Sequence, residues 1–283
     1  MSQQLPQRQA YMLSDLGIRL RKIVSSQDGD TPVRYSHQDD YYIIGMVDKG
    51  TGHGFIDFKE IAISQGEIFL VQPRQVHRFI GSEDVECRML LADNSYVGHE
   101  EKRIFDKFRL FGSSVKTDER RMGELKQLFA MLANRINHVT DEQTKATVRR
   151  LTETYIGIVA ETIRETELQQ ARHSHRHIEI VLSFLHLLAG HLATSRSPSY
   201  YASQLNISPV YLNEVVKEVT GMSATFYIRN ELILQAKRLL VHTGLSVKEI
   251  SDRLGIEDSA YFSRIFTQTA GISPSTFRRR NLE

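Results

Sequence analysis

The alternation of hydrophobic and polar positions divides the chain into three stretches. Over residues 31–91, short runs rich in β-branched and aromatic residues are separated by turn signals, which predicts strands of an antiparallel barrel or sandwich. Over residues 100–193, apolar residues recur every three or four positions, which predicts amphipathic helices. The polar, breaker-rich residues 195–199 follow, and the remaining pattern predicts short helices. We therefore expect an α+β chain with three parts, residues 1–95, 96–193 and 194–283.

A glycine-rich segment, residues 48–54, predicts a hairpin turn inside the first stretch. Gly50, Gly52 and Gly54 permit backbone conformations that other residues avoid, and strand-forming runs flank them. No strand-to-helix context follows, so these glycines do not indicate a phosphate-binding loop. In the middle stretch, residues 137–141 predict the turn between two helices.

The C-terminal stretch begins with a helix, a tight turn and a second helix. Asn206 can adopt the left-handed conformation that a tight turn needs. Ser208 is a favourable N-cap, and Pro209 suits the first position of the next helix. An apolar stripe at helical spacing follows, and Gly221 stands where a C-cap glycine belongs. These signals predict a helix-turn-helix motif.

The same arrangement returns 49 residues later, counted from turn to turn. Ser246 and Glu249 have the spacing of a capping box, and Gly255 stands at the turn. Asp258 is the predicted N-cap of another helix, which ends before Gly271. The chain therefore contains two predicted helix-turn-helix motifs in series.

A rigid pair of such motifs is suited to reading double-stranded DNA. The major groove accepts one α-helix, whose N-terminal side chains touch base edges. A connecting helix over residues 224–242 would hold two such helices in successive major grooves, about 34 Å apart. Its predicted inner side comprises Phe226, Ile228, Leu232, Ala236, Leu239 and Leu240. The alternative is an ordinary helical bundle, and the repetition of caps and glycines weighs against it.

Composition and charge permit DNA binding without requiring it. The net charge is only +2, but the part from Arg176 onward carries 12 Lys and Arg against 9 Asp and Glu. The rest carries 24 against 25, so the basic excess lies in the C-terminal part. Cys87 is the single cysteine, which excludes a disulfide within the chain. The polar N-terminus lacks a signal core, and no apolar run approaches the ~20 residues of a membrane helix, so we expect a cytoplasmic protein without membrane contact.

The second motif resembles the second half of the DNA-binding domain of AraC/XylS-type regulators. The matching residues are Val247, Ile250, Leu254, Gly255, Ser259, Tyr261, Phe262, Arg264, Phe266, Gly271, Ser273, Pro274 and Arg278. The first motif matches more loosely, through Ala202, Leu205, Ile207, Ser208, Tyr211, Leu212, Lys217, Thr220 and Gly221. Residues 236–240 match the family's linker helix, and the likeness covers about 85 residues. Ser251, Ile256 and Thr267 replace the family's usual alanine, phenylalanine and lysine, and the lost lysine would weaken a phosphate contact.

The resemblance implies base-reading positions on both recognition helices. They are Val210, Asn213, Glu214, Ser259, Ala260, Ser263 and Arg264. Chemically, Asn213 can pair with adenine, Glu214 can accept from cytosine, and Arg264 can bind guanine. Candidates for phosphate contacts are Lys217, Arg229 and Lys248. The alternatives are solvated surface charges for Glu214 and the three basic residues, and a phosphate or carboxylate partner for Arg264.

Residues 66–77 predict a turn, a buried strand, and a second turn at Pro73 before His77. This segment resembles the second motif of the cupin fold, and His37 stands where the first motif supplies histidines. Together they resemble the cupin-like sensor at the N-terminus of AraC-like regulators, which implies a barrel with a pocket for an organic ligand. The candidate pocket residues are His37, Tyr41, Phe55, Asp57 and His77, each of which is alternatively a core or turn residue.

A metal-dependent cupin enzyme is the competing interpretation, and a purely structural or dimerising barrel is a third. Metal sites of that fold usually need three histidines and a glutamate. Only His37 and His77 are well placed, because Gln38, Asp39 and Asp40 stand where a second histidine is expected. We therefore predict no metal, no cofactor and no enzymatic activity.

Three further histidines, His173, His175 and His177, crowd together along the chain. The outer two have the i,i+4 spacing that could hold a metal on a helix. An exposed helix start explains the cluster better, so we predict no metal there either.

The combined expectation is a sequence-specific transcription regulator, and the family resemblance implies an activator more often than a repressor. A small-molecule effector of unknown identity would bind the barrel and shift the population of a DNA-competent arrangement. The helical middle part would mediate homodimerisation, and RNA polymerase is an expected partner besides double-stranded DNA. The fold itself identifies neither the effector nor the promoter.

Overall fold

The computed structural model describes residues 7–8, 13–24, 36–169 and 174–282. Two compact units divide the chain between Gln170 and Ala171. The first unit contains a sheet and helices, and the second is helical throughout its described residues. The predicted α+β fold, with a β-rich part before a helical part, is confirmed. Residues 31–35, where the strand pattern begins, lie outside the described residues.

Within the described residues, eight strands form one sheet. They are β1 (Gln7–Arg8), β2 (Ile18–Val24), β3 (His37–Asp39), β4 (Tyr42–Ile56), β5 (Lys59–Ser64), β6 (Glu67–Val71), β7 (Val76–Ala92) and β8 (Ser114–Lys116). The order is β1-β3-β7-β4-β6-β8, with β2 paired to β7 and β5 paired to β4. The pairs are antiparallel except for β1 with β3. Strands β4 and β7 each pair with three other strands, so they form the centre of this sheet, which is called the barrel below.

The predicted hairpin turn at residues 48–54 is wrong. Strand β4 continues through this segment and pairs with β7, with irregular register at three places. The glycines allow β7 to approach β4 closely, and the chain does not reverse its direction at them. A Cβ on Gly50 would lie 2.3 Å from the carbonyl oxygen of Glu83, and one on Gly54 would lie 2.7 Å from that of Arg78. Glycine occurs here in a bulged strand. Besides tight turns, bulges are a common position for glycine in sheets.

The chain reverses instead at Asp57 and Phe58, between β4 and β5. Their φ angles of 48° and 64° are left-handed, as a two-residue hairpin turn with the twist of the sheet requires. The predicted turn at Pro73 is confirmed, since it lies between the end of β6 and the start of β7.

Side chains of β4 alternate between two apolar clusters. Tyr42, Ile44 and Met46 belong to a cluster that the sheet shares with the neighbouring helices. Ile43 and Val47 belong to a second cluster inside the barrel. Because successive side chains of a strand point to opposite faces, a strand covered on both faces reads as a continuous apolar run.

Three helices of the first unit cover the outer face of the sheet: α1 (His99–Phe111), α2 (Glu119–Ile136) and α3 (Glu142–Gln169). Phe105, Leu125 and Tyr155 are fully buried in the cluster that also contains residues of β4. The predicted turn between α2 and α3 is confirmed. These helices belong to the core of the barrel unit, and their role in homodimerisation stays a prediction.

The described residues of the second unit form seven helices: α4 (His175–His191), α5 (Pro198–Gln204), α6 (Pro209–Thr220), α7 (Ala224–His242), α8 (Val247–Arg253), α9 (Ser259–Ala270) and α10 (Pro274–Leu282). Helix α4 packs on α5 and α6, and its Phe184 ring lies 5.4 Å from that of Tyr201. The compact units separate near residue 170, because α4 packs its apolar face against the C-terminal helices. The division into three parts at residues 95 and 193 stays a prediction.

The predicted connecting helix is confirmed as α7, but one of its predicted inner residues is wrong. Phe226 is 48% exposed, because it lies on the opposite side of the helix from buried Ala224 and Ile228. The final helix, α10, was not predicted. Its Phe277 ring packs 5.6 Å from that of Phe266 in α9, which anchors the C-terminal segment on the second motif.

Candidate nucleic-acid interface and barrel cavity

The first helix-turn-helix motif consists of α5, a turn at Asn206, and α6. Asn206 has a φ of 53°, the left-handed conformation predicted for it. The N–H of Ile207 donates to the carbonyl oxygen of Ala202 at 3.0 Å, which closes the turn. The N–H of Tyr211 donates to Ser208 Oγ at 3.1 Å, so the predicted N-cap is confirmed. Local hydrogen bonds thus fix the angle at which α6 leaves the turn.

The second motif consists of α8, a turn at Gly255, and α9. The N–H of Ile256 donates to the carbonyl oxygen of Ser251 at 2.9 Å, and Ser251 Oγ donates to the carbonyl oxygen of Ile256 at 2.6 Å. Gly255 has a φ of 72°, and a Cβ there would lie 1.9 Å from the carbonyl oxygen of Ala193. Asp258 accepts from two N–H groups in the first turn of α9, at 2.8 and 3.0 Å. The turn therefore admits only glycine, and the predicted cap is confirmed.

The remaining predicted caps are also confirmed. Gly221 after α6 and Gly271 after α9 have φ angles of 75° and 77°. Ser246 and Glu249 form the capping box of α8, with the N–H of Ser246 donating to Glu249 Oε2 at 2.7 Å and the N–H of Glu249 donating to Ser246 Oγ at 3.2 Å. Hydrogen bonding from the Ser246 backbone to the carboxylate lowers the pKa of Glu249.

The exposed surface of α6 carries three of the predicted contact residues. Val210 is 69% exposed at the start of the helix, and Glu214 and Lys217 are also exposed. Asn213 is partly buried, and its Oδ1 accepts from the N–H of Ala224 at the start of α7, at 3.1 Å. A bidentate contact to adenine needs both the oxygen and the nitrogen of the amide. Since the oxygen already holds α7, only the nitrogen is left to donate to a base.

The exposed surface of α9 has different chemistry. Ala260 and Arg264 are exposed, and Ser259 and Ser263 are partly buried beside them. The guanidinium carbon of Arg264 lies 5.4 Å from the centre of the Tyr261 ring, close enough for a cation–π contact. Within the described residues, no carboxylate lies within salt-bridge distance of Arg264, which favours the external partners predicted for it.

Other basic residues of this unit divide into exposed and structural groups. Arg229 on α7 and Lys248 on α8, both predicted phosphate contacts, are exposed. Arg278 is partly buried, and its guanidinium donates to the carbonyl oxygens of Leu240 and Leu245. Arg278 therefore joins α10 to the C-terminal end of α7 and to the loop that follows, which gives a structural reason for the arginine in the family motif.

The barrel of the first unit encloses a cavity of about 130 Å³. Its wall is mainly apolar, and Cys87 of β7 contributes to it. The charged or ionisable residues of the wall, besides this cysteine and Tyr41, are Arg21, His37, Asp39, His53, His77 and Arg78. Four of the predicted pocket residues, His37, Tyr41, Phe55 and His77, line the cavity. A pocket with apolar walls and a few convergent polar groups is the usual form of a small-molecule site.

The fifth predicted pocket residue, Asp57, is not part of the cavity lining. Its Oδ1 accepts from the N–H of Val76 at 3.1 Å, and its Oδ2 accepts from Gln75 Nε2 at 3.0 Å. The carboxylate therefore ties the β4–β5 turn to the start of β7. Asp57 lies in the turn between β4 and β5, and this turn directs its side chain to the start of β7 instead of into the cavity.

A polar cluster that the sequence did not predict lies in the cavity wall. Asp39 Oδ2 is 3.8 Å from His37 Nε2 and 3.4 Å from His77 Nε2, and the two imidazole rings are 4.2 Å apart. The side chains are 7%, 3% and 12% exposed for His37, Asp39 and His77. In the sequence, Asp39 was notable only as one of the residues that stand where a second histidine is expected. The signal that could have found it is its i,i+2 spacing from His37, which places both side chains on one face of a strand.

In the second group of histidines, His175 and His177 have different surroundings in the structure. His173 lies outside the described residues. His175 is exposed, whereas His177 Nδ1 lies 2.9 Å from Glu218 Oε2 and its ring lies 6.0 Å from that of Tyr211. His177 therefore helps to pack α4 on α6. Among the described residues, the group formed by His37, Asp39 and His77 is the one whose donor atoms converge as metal ligands do.

Comparison with known proteins links both units to one family. Residues 23–157 match the model of the AraC-like ligand binding domain, and residues 201–280 match that of a helix-turn-helix domain. The chain is 24% identical to the HTH-type transcriptional activator RhaR of Enterobacter sp. (strain 638), over 87% of each chain. It is 25% identical to the Msm operon regulatory protein of Streptococcus mutans, over 85% of this chain and 84% of that one.

A second RhaR, from Cronobacter sakazakii, is 37% identical, and that alignment spans only 29% of each chain. Among solved structures, ToxT from Vibrio cholerae O395 is 13% identical with a TM-score of 0.44, covering 92% of this chain and 96% of that one.

No helix in the described part of the chain combines the length and the apolar character needed to cross a membrane. The two family matches together span more than half of the sequence and coincide with the barrel unit and the paired motifs. The chain belongs to the AraC family of transcription regulators, with an AraC-like ligand-binding domain followed by a helix-turn-helix DNA-binding domain.

Proposed function

We propose that this regulator activates transcription by reading promoter DNA with α6 and α9 and by responding to a small molecule held in the barrel cavity. One observation carries the proposal: both recognition helices, α6 and α9, are capped and have exposed side chains near their N-termini. Helix α7 joins the two motifs. Exposed side chains at the start of a helix are the ones that reach base edges in the major groove.

The two helices offer different contacts to DNA. Arg264 can donate two hydrogen bonds to guanine, which is the commonest specific contact of this kind. Ala260 and Val210 present methyl groups that suit the methyl group of thymine. Glu214 can accept from cytosine, and Asn213 contributes one donor at most because its oxygen is engaged. Lys217, Arg229 and Lys248 would contact phosphates, with Ser259 and Ser263 close to the helix start.

The cavity supports an effector of small size and mixed polarity. Its apolar wall would bury the body of the effector, and His37, His77 and Arg78 would bind polar groups. The guanidinium carbon of Arg78 lies 4.6 Å from the centre of the Phe55 ring, so Phe55 positions this charge. An effector shifts the equilibrium only by its difference in affinity between the two states, and it would act here by favouring the DNA-competent state.

The sign of regulation is supported by the name of a relative. RhaR is named as a transcriptional activator, which supports activation over repression. We propose further that the protein acts as a homodimer in the cytoplasm, contacts RNA polymerase, and is a regulator without enzymatic activity of its own.

The central test is selection of DNA by the full-length protein from a random pool at low salt, where phosphate contacts are strongest. We expect one enriched sequence with two half-sites separated by about one helical turn, matching two helices in successive grooves. Enrichment of no sequence would contradict the proposal.

A matched pair of variants tests whether Arg264 determines part of the sequence preference. Arg264→Ala should relax the preference at one base position, whereas Arg253→Ala, which removes an equal charge from the exposed end of α8, should leave the preference unchanged. An equal loss on all sequences for both variants would show that Arg264 contacts only the backbone.

A further inference from the structure

The cluster in the cavity wall is built by the pairing of two strands. In the antiparallel pair of β3 and β7, His37 and His77 lie directly opposite each other. Asp39 follows two residues after His37 and lies on the same face of β3. Three donor side chains from adjacent backbone positions therefore converge, and their ligand atoms all lie within 4.8 Å of one another.

The hydrogen bonds around His77 fix which nitrogen is available. Its Nδ1 lies 3.1 Å from the backbone carbonyl oxygen of Gln75. A carbonyl oxygen only accepts, so Nδ1 is the donor in this contact, and Nε2 is the ring nitrogen that faces the cluster. This Nε2 lies 3.4 Å from Asp39 Oδ2. A backbone carbonyl on the far nitrogen is also the usual way in which proteins orient a metal-binding histidine.

One oxygen of the Asp39 carboxylate lacks a hydrogen-bond partner within the described residues. The residue is 3% exposed, and the oxygen concerned is Oδ1. A buried carboxylate oxygen without a donor is costly, because desolvation is not compensated. A cation bound by this carboxylate and the two imidazoles would offset the cost of burying it.

The sequence predicted no metal because a second histidine was missing, but Asp39 supplies a third ligand in its place. We propose that the barrel binds one divalent transition-metal ion of the zinc or iron class through His37, Asp39 and His77. Two histidines and one carboxylate are an established donor set for such ions. Zinc–ligand bonds of about 2.0–2.1 Å in a tetrahedral site place neighbouring ligand atoms about 3.4 Å apart. The observed separations of 3.4 and 3.8 Å from Asp39 Oδ2 are close to this value.

The three protein ligands leave at least one coordination position open toward the cavity that the same residues line. An oxygen of the effector would complete the coordination. The inference thus deepens the proposed effector site and rests, in this respect, on that proposed function. It assigns the ion to effector binding, and no catalytic step follows from it.

The test uses the full-length protein after removal of metals with a chelator, titrated with Co²⁺ and followed by visible absorption and calorimetry. We expect one equivalent to bind, with the intense bands of a low-coordinate cobalt site. Asp39→Asn and His77→Gln should each weaken binding at least tenfold. His53→Gln is the matched control, because His53 lines the same cavity outside the cluster, and it should bind as the wild type does.

X-ray absorption of the cobalt-loaded wild type gives a readout that needs no variant, and two imidazole ligands are expected. Absence of stoichiometric binding, or an equal loss for the His53→Gln control, would overturn the proposal. A protein that selects DNA without binding Co²⁺ would contradict the metal site alone. A protein that binds Co²⁺ but selects no DNA would contradict the proposed function and leave the metal site in place.

Discussion

The two helix-turn-helix motifs share a scaffold and differ in the surface that it presents. In both, the N–H of an isoleucine in the turn donates back into the preceding helix, from Ile207 to Ala202 in the first motif and from Ile256 to Ser251 in the second. In both, the recognition helix ends at a left-handed glycine. The second turn contains one additional residue, Glu257, before the N-cap. The scaffold therefore depends on a few turn and cap positions, whereas the exposed positions are free to differ.

At the exposed positions, the difference between the motifs is mainly one of charge. Glu214 in α6 corresponds to Arg264 in α9, because both are the sixth residue of their helices. A carboxylate repels the phosphates of DNA, whereas an arginine attracts them. We therefore expect α9 to contribute more to DNA affinity than α6. Two motifs of the same fold can therefore contribute unequally to DNA recognition.

The largest effect is expected at the turn of the second motif. Gly255→Ala should lower the free energy of unfolding of the helical unit by about 3 kcal/mol or more, because it combines a left-handed φ with a steric clash. Gly221→Ala is the control, since its φ is similar but no atom lies within 4 Å of the added Cβ. It should cost only about 1 kcal/mol. Urea denaturation followed by circular dichroism measures both, and equal losses would contradict the role of the clash.

The next effect concerns DNA affinity. Arg264→Ala should weaken binding to the selected sequence by roughly 1–3 kcal/mol, because a bidentate base contact is lost. Glu214→Ala should strengthen binding slightly on every sequence, because a charge that repels phosphate is removed. Fluorescence anisotropy with the selected duplex and its single-base variants distinguishes them. A loss confined to one base position for Glu214→Ala would assign that residue to cytosine instead.

A smaller effect is expected from Ser251→Ala, which converts the second motif to the alanine found at Ala202 in the first. The buried hydroxyl donates to the carbonyl oxygen of Ile256, so its loss should destabilise the unit by about 1 kcal/mol. DNA affinity should not change, because the side chain does not reach the surface. Denaturation and anisotropy of the same preparation check both statements. Unchanged stability would show that the hydroxyl is dispensable.

The smallest effect is a pH dependence from the capping box of α8. The pKa of Glu249 is lowered in the folded state, so the cap contributes stability above the unfolded pKa of about 4.5. That contribution should disappear as the pH falls through the lower folded pKa. Glu249→Gln should remove this part of the pH dependence, which thermal melts between about pH 3 and 6 measure. An identical pH profile for the variant would contradict the assignment.

Features that depend on neighbouring residues could be predicted from the sequence. Contacts between strands that are distant in the sequence could not. The caps at Ser208 and Asp258 and the turns at Asn206 and Gly255 depend on neighbouring residues, so their patterns were sufficient. The glycines of residues 48–54 failed as a turn signal, because turns and bulges use glycine alike. The cluster around Asp39 depends on the register between β3 and β7, which are separated by about 40 residues, and no local pattern contains that register.

The position of Cys87 gives this protein a built-in chemical reporter. It is the single cysteine of the sequence, it lines the cavity, and burial raises its pKa to about 12. A protonated, enclosed thiol reacts slowly with alkylating reagents, and the rate rises when the barrel opens. Mass spectrometry of the alkylated, otherwise unaltered protein can therefore time the opening of the barrel, and any compound that occupies the cavity should reveal itself by slowing that reaction.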